Sequence, residues 1–168
     1  MVLAADGATE RCLSAGVVPE LVVTDLDGPV ASEVTANARG ALVVIHAHGD
    51  NTAALLQWVP EFTGELAGSW AGPPDDSLLD VGGFTDGERA AFLADHCGAT
   101  EVLLWGFDFA KVVETDPEAR ERKLAKLRFA ESDLELLRSS TATPLIEWRR
   151  DGSRRPFHAG GAAAKSTQ

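Results

Sequence analysis

Short apolar runs rich in β-branched residues alternate along the chain with stretches whose apolar positions recur at helical spacing. Val2 to Ala5 and Leu21 to Thr24 are strand-like runs, and Ala8 to Ala15 between them is helix-sized and closed by Gly16. The rhythm continues with a helix over Val30 to Ala38, a strand over Ala41 to Ile45, helices over Thr52 to Val59 and Asp86 to Asp95, and a strand over Glu101 to Trp105. Leu124, Leu127, Leu134 and Leu137 place the longest helix over about Pro117 to Arg138, ahead of a final edge strand over Pro144 to Trp148. Strands apolar along their whole length and set between helices predict a mostly parallel α/β sheet, buried on both faces and flanked by helices. Glu65 to Asp80, with Gly68, Gly72, Pro73 and Pro74 and no clear period, predicts a loop with room for one short strand.

Composition bounds this picture. A chain of 168 residues, 45% hydrophobic, supports one compact domain, expected over residues 1–148, with a flexible Gly-, Ala- and Arg-rich tail over residues 149–168. No apolar run approaches the roughly 20 residues of a membrane span. The start, Met1-Val2-Leu3-Ala4-Ala5-Asp6, lacks the basic, apolar and small-residue regions of a secretion signal, so a cytoplasmic location with no membrane partner is expected. Cys12 and Cys97 stand in no metal or redox spacing and are expected to be reduced, buried thiols. A net charge of −11 argues against a nucleic-acid surface, which needs a clustered positive face.

Each predicted strand is followed at once by polar residues: Asp6-Gly7, Asp25-Leu26-Asp27-Gly28, His46-Ala47-His48-Gly49-Asp50-Asn51, and Gly106-Phe107-Asp108. Gly82-Gly83-Phe84-Thr85-Asp86-Gly87 opens a helix in the same manner. In an open parallel sheet, ligands bind where strands end, so these clusters predict one site. Asp25 and Asp27 offer hard oxygens to Mg²⁺, the glycines let backbone amides approach an anion, and Arg89, Lys123 and Lys126 are positive partners for phosphate. Structural readings compete at several positions. Asp6, Asp86 and Asp108 also suit turns or helix caps, Thr85 suits a cap, His46 and His48 suit a structural role or a transition-metal site, Lys123 and Lys126 suit a solvated helix face, and Trp58, Trp70, Trp105 and Phe107 suit a core.

Two partial motifs lead elsewhere. Val22-Val23-Thr24-Asp25-Leu26-Asp27-Gly28 resembles the first motif of haloacid-dehalogenase-type phosphatases, but Pro29 replaces the expected Thr and the later lysine and acidic pair are not in order. His46-x-His48-x-Asp50-Asn51 is similar to the metallo-β-lactamase signature, with Asn in place of its last His.

The whole ordered set fits one family better. Ala4-Ala5-Asp6-Gly7-Ala8, Gly16 through Gly28, His46-Ala47-His48-Gly49-Asp50-Asn51, Gly82-Gly83-Phe84-Thr85-Asp86-Gly87-Glu88-Arg89-Ala90, Gly106-Phe107-Asp108-Phe109 and Lys123-Leu124-Ala125-Lys126-Leu127 resemble the archaeal MptE-like 6-hydroxymethyl-7,8-dihydropterin pyrophosphokinases. The first part also looks like thiamine pyrophosphokinases, which carry a similar Ala-Asp-Gly and acidic run. The resemblance implies a Rossmann-like, thiamine-pyrophosphokinase-like catalytic layer that transfers the β,γ-diphosphate of ATP to a reduced pterin with Mg²⁺, releasing AMP, in folate or methanopterin-type cofactor synthesis. Asp25 and Asp27 would hold the metal, and His48, Asp50 or Asp86 would accept the hydroxyl proton. Asp6, Gly7, Gly28, His46, Gly49, Asn51, Gly83, Phe84, Thr85, Gly87, Arg89, Asp108, Lys123 and Lys126 would contact the substrates, with Trp105 or Phe107 available to stack on the pterin. Family members carry a strand and a Gly-Pro-Ser-like loop ahead of the Ala-Asp-Gly motif. Here the sequence starts at Met1, so that phosphate-binding wall is expected to be missing. A thiamine-directed enzyme and a non-catalytic nucleotide- or pterin-binding module are the alternatives. A Rossmann-like layer pairs through several faces, so a homo-oligomer is compatible with the sequence.

Overall fold

The computed structural model describes residues 1–73 and 75–160. The chain divides into two compact units, Met1–Gly82 and the residues from Gly83 onward. In the first unit, β1 (Leu3–Ala5), β2 (Leu21–Thr24), β3 (Leu42–Ala47) and β4 (Leu66–Trp70) form a sheet in chain order, each neighbouring pair parallel. The crossovers are α1 (Ala8–Ser14), α2 (Val30–Ala38) and α3 (Thr52–Trp58), the last followed by a 3-10 turn over Val59–Glu61. Because all four strands run the same way, the loops that leave them emerge at one sheet edge.

β2 is buried at every position, as an apolar run without alternation requires. Val22, Val43, Ile45, Val30, Ala36 and Phe62 form the heart of this unit's core. The buried stripe of α2 combines Val30 and Ala36 with two polar residues, Glu33 and Asn37. Asn37 is satisfied: its Nδ2 donates to Ala41 O (3.0 Å) and Glu65 O (2.9 Å), and its Oδ1 accepts from Gly64 N (2.6 Å). That side chain ties the start of β3 to the segment entering β4, and a Cβ at Gly64 would sit 2.7 Å from Asn37 O.

The second unit contains α4 (Asp86–His96), β5 (Val102–Trp105), α5 (Pro117–Ser140), β6 (Leu145–Trp148) and β7 (Arg154–Pro156). Its sheet has the order β5-β6-β7, with β5 and β6 parallel and β7 antiparallel to β6. Asp116 caps α5 by accepting from Ala119 N (2.7 Å), with Pro117 at the first helical position, where a missing N–H costs nothing. The helix buries Ala130, Leu134 and Leu137.

Four expectations are revised. β6 is the centre of its sheet rather than an edge, because a turn at Gly152 (φ +81°) reverses the chain. Arg149 N donates to Ser153 O (3.0 Å), and Arg154–Pro156 then pair with β6. The stretch read as tail from Arg149 thus holds a strand and the buried Phe157, while residues 161–168 lie outside the described residues. Both cysteines are free thiols as expected, but Cys97 is exposed and Cys12 only half-buried. Trp105 is 70% exposed instead of lying in a core, its ring tilted against Trp148 at 6.5 Å. Among the described residues, no helix is long and apolar enough to cross a membrane.

Candidate active site

The first unit brings Asp6, Asp25, Asp27, Gly28, His46, His48 and Asn51 to the carboxyl edge of its sheet. Asp6 follows β1 in a left-handed backbone conformation (φ +43°), and its amide still donates to Val23 O (2.9 Å), so its position is fixed by the sheet. After β2, Leu26 also adopts positive φ (+67°) and is buried, leaving Asp25 half-buried and Asp27 exposed. Two local bonds set this turn: Leu26 N donates to Thr24 Oγ1 (2.9 Å) and Asp27 N to Asp25 Oδ1 (3.2 Å). A Cβ at Gly28 would fall 1.7 Å from Asp6 Oδ1, so only glycine leaves room for that carboxylate.

β3 runs through His46 to Ala47, so His46 belongs to the strand rather than to the loop after it. It is buried, with Nδ1 3.0 Å from Ser69 Oγ on β4. His48 is partly exposed, its Nε2 3.5 Å from Asp25 Oδ2 and its ring stacked on His46 at 6.1 Å. Asn51 joins the loops: its Nδ2 donates to Asp25 O (2.9 Å) and His46 O (2.7 Å), and its Oδ1 accepts from His48 N (3.1 Å). Asp50 is exposed, and Gly49 makes its tight turn at φ +87°.

Sequence reasoning missed Glu33. This residue is 0% exposed, and among the described residues neither of its carboxyl oxygens meets a hydrogen-bond donor of acceptable geometry. Its spacing from Val30 and Ala36 on the apolar stripe of α2 was the available signal. Its carboxyl is raised to about 7, first by burial and then by the Asp6, Asp25 and Asp27 charges, against a lowering hydrogen bond with the Thr24 hydroxyl. Asp6 is likewise raised, first by burial and then by Asp27, with the Gly7 amide opposing. The acidic edge is a place where negative charge is expensive until something positive or protic compensates it.

The second unit brings another group together around the start of α4. Thr85 is the N-cap of a capping box, in which the Glu88 carboxylate accepts from Thr85 N (2.5 Å) and Phe84 N (3.2 Å). Arg89 is buried, and its Nη2 donates to Phe84 O (3.4 Å). Gly83 has φ +87° and no space for a Cβ, which would meet Arg89 N at 2.8 Å, while Gly87 lies under the Phe107 ring. Asp86 is the first residue of α4. Asp108 Oδ1 accepts from Ala110 N (3.2 Å) and Lys111 N (3.0 Å), a turn-forming role. Lys123 and Lys126 lie exposed on α5.

Mg²⁺ suits the first group. Among the described residues, no three His, Cys, Asp or Glu side chains stand close enough to enclose an ion. Mg²⁺ does not require such a cage, because it typically takes one or two carboxylates and fills its shell with water and substrate phosphate. Asp25 and Asp27 supply oxygens of that kind.

The model of a family described as 6-hydroxymethylpterin diphosphokinase MptE-like matches residues 1–114. A 6-hydroxymethyl-7,8-dihydropterin pyrophosphokinase of Pyrococcus furiosus is 44% identical over 154 residues, covering 87% of this chain and 65% of its own. Proteins of the same name from Methanothermobacter thermautotrophicus and Methanocaldococcus jannaschii are 46% and 32% identical, over 67% and 82% of this chain and 48% and 62% of theirs. The chain thus spans about half to two thirds of the length of these curated relatives. Lys123 and Lys126 fall beyond the residues that the family model matches.

Proposed function

The chain belongs to the MptE-like 6-hydroxymethylpterin diphosphokinase family, and we propose from that premise that it transfers a diphosphate group from ATP to 6-hydroxymethyl-7,8-dihydropterin, releasing AMP. The observation that carries this reading is the gathering of Asp6, Asp25, Asp27 and His48 at one sheet edge. In the reaction, the pterin hydroxyl oxygen bonds to the β-phosphorus of ATP, the bond from that phosphorus to the α-phosphate oxygen breaks, and AMP leaves. The hydroxyl proton passes to a base.

Asp25 and Asp27 are the residues that would hold Mg²⁺, which when bound neutralises charge on the phosphates. Asp25 also faces His48 Nε2 at 3.5 Å, so its carboxylate would stabilise the imidazolium formed if His48 takes the proton. This pairing favours His48 over Asp50 and Asp86 as the base. Asn51 holds the two loops in register and keeps the pair together, so its contribution is alignment. The glycines at 28 and 49 keep backbone accessible beside the phosphates. The pathway fed by the product would be folate or methanopterin-type cofactor synthesis, and the setting cytoplasmic.

Incubating the chain with ATP, Mg²⁺ and 6-hydroxymethyl-7,8-dihydropterin and measuring AMP and pterin diphosphate tests this reading. Both products are expected in equal amounts. AMP formed only when thiamine replaces the pterin would reassign the substrate. Mg²⁺-dependent ligand binding without AMP from either alcohol would make the chain a binding module and overturn the enzyme reading.

A further inference from the structure

Among the described residues, three buried oxygens behind the acidic edge have no donor of acceptable geometry: Asp6 Oδ1 and both oxygens of Glu33. Asp6 and Glu33 are nonetheless within hydrogen-bonding reach of each other. Two ionised carboxylates only accept, so this contact becomes a bond when one of them keeps its proton. One retained proton serves two of the three oxygens, the Thr24 hydroxyl also interacts with Glu33, and leaving buried acceptors unmatched is costly.

The two carboxyls differ in setting. Glu33 is fully enclosed on the inner stripe of α2, while Asp6 is only half-buried and its carboxylate lies against Gly28. The enclosed group is the one that loses most by carrying charge. We propose that Glu33 is a positioning residue, a neutral carboxylic acid that donates a hydrogen bond from inside the fold to the Asp6 carboxylate and thereby fixes Asp6 beside Gly28 at the acidic edge. The Asp6 backbone is set by its bond to Val23 O and the Gly7 amide bonds its carboxylate, so what Glu33 adds is a donor for the inner oxygen, Oδ1. The elevated proton affinity of Glu33 agrees with the donor role. A bound cation is the competing way to satisfy these oxygens, and it requires the Glu33 carboxylate instead of its acid form.

The catalytic consequence rests on the diphosphate-transfer reading, whereas the bond itself does not, so two readouts are used. In thermal unfolding of Glu33→Leu, Asp6→Ala and the double variant, the two changes are expected to be non-additive, since removing Asp6 removes the acceptor. In turnover, Glu33→Leu is expected to lose about tenfold or more in kcat/KM, and Glu33→Gln, which keeps a donor of the same length, to restore most of it. Additive unfolding effects, or a Glu33→Gln variant as impaired as Glu33→Leu, would overturn the proposal. The Glu33→Gln comparison with the unaltered chain decides even if Glu33→Leu does not fold: a folded Gln variant that loses turnover contradicts the donor role. If the unaltered chain shows no turnover at all, the functional reading fails, and the unfolding cycle still judges the Asp6–Glu33 bond.

Discussion

Asp25 and Asp108 each lie within a few residues of the end of a parallel strand and look alike in the sequence, yet the chain uses them differently. Asp108 spends an oxygen on Ala110 N and Lys111 N, and the neighbouring Thr85–Glu88 box closes on the first turn of α4. In these second-unit clusters, polar side chains answer local backbone donors. In the first unit, Asp25 also accepts from its own turn, at Asp27 N, but its other oxygen faces His48, and among the described residues no donor of acceptable geometry reaches Asp6 Oδ1 or the Glu33 oxygens. Polar groups that meet their own backbone's needs build turns and caps. Those packed together with needs unmet are a reservoir for chemistry, because a ligand, a proton or a cation relieves them.

Substitutions should widen that contrast in a definite order. Asp25→Asn or Asp27→Asn is expected to lower AMP formation by orders of magnitude, about 10² or more, while the unfolding midpoint holds, since one lost charge weakens metal and phosphate binding. The next effect is on pH. Glu33 binds its proton more tightly folded (about 7) than unfolded (4.5), so the folded state holds more protons between those values. Stability therefore falls as pH rises through this window, by up to roughly 3 kcal/mol, and levels off above it. Urea midpoints measured across that range should show this slope, and Glu33→Gln should flatten it.

Gly28→Ala is expected to cost about tenfold in kcat/KM, because its methyl would displace the Asp6 carboxylate, with the fold retained because only a side-chain end must move. Glu88→Ala should act on the other side of the comparison. Losing its half of the capping box is expected to cost about 1–2 kcal/mol of stability in denaturant titration, larger than any change in the chemical step.

Much of the architecture was legible in the sequence because its strands are uninterrupted apolar runs and its helices keep their period. α2 and the start of α4 fall where predicted, and the ends of α4 and α5 lie within two residues of expectation. β7 escaped because Arg154-Arg155-Pro156 has no apolar alternation, and only pairing with β6 makes it a strand. That the acidic turn and the His-x-His loop meet at one sheet edge was legible from their positions after parallel strands. Glu33 was not, because a glutamate in a helix reads as surface until its neighbours are placed. The split between Asp25 and Asp108 was equally hidden, since each accepts from the amide two residues on and only the placement of His48 beside Asp25 separates them.

The most direct test of the central claim sets Asp25→Asn against Asp108→Asn, measuring AMP formation and the unfolding midpoint in both. Asp25→Asn is expected to lose turnover and keep its midpoint, while Asp108→Asn is expected to keep turnover and at most to unfold slightly earlier. Full activity in Asp25→Asn, or loss of activity in a fully stable Asp108→Asn, would contradict it.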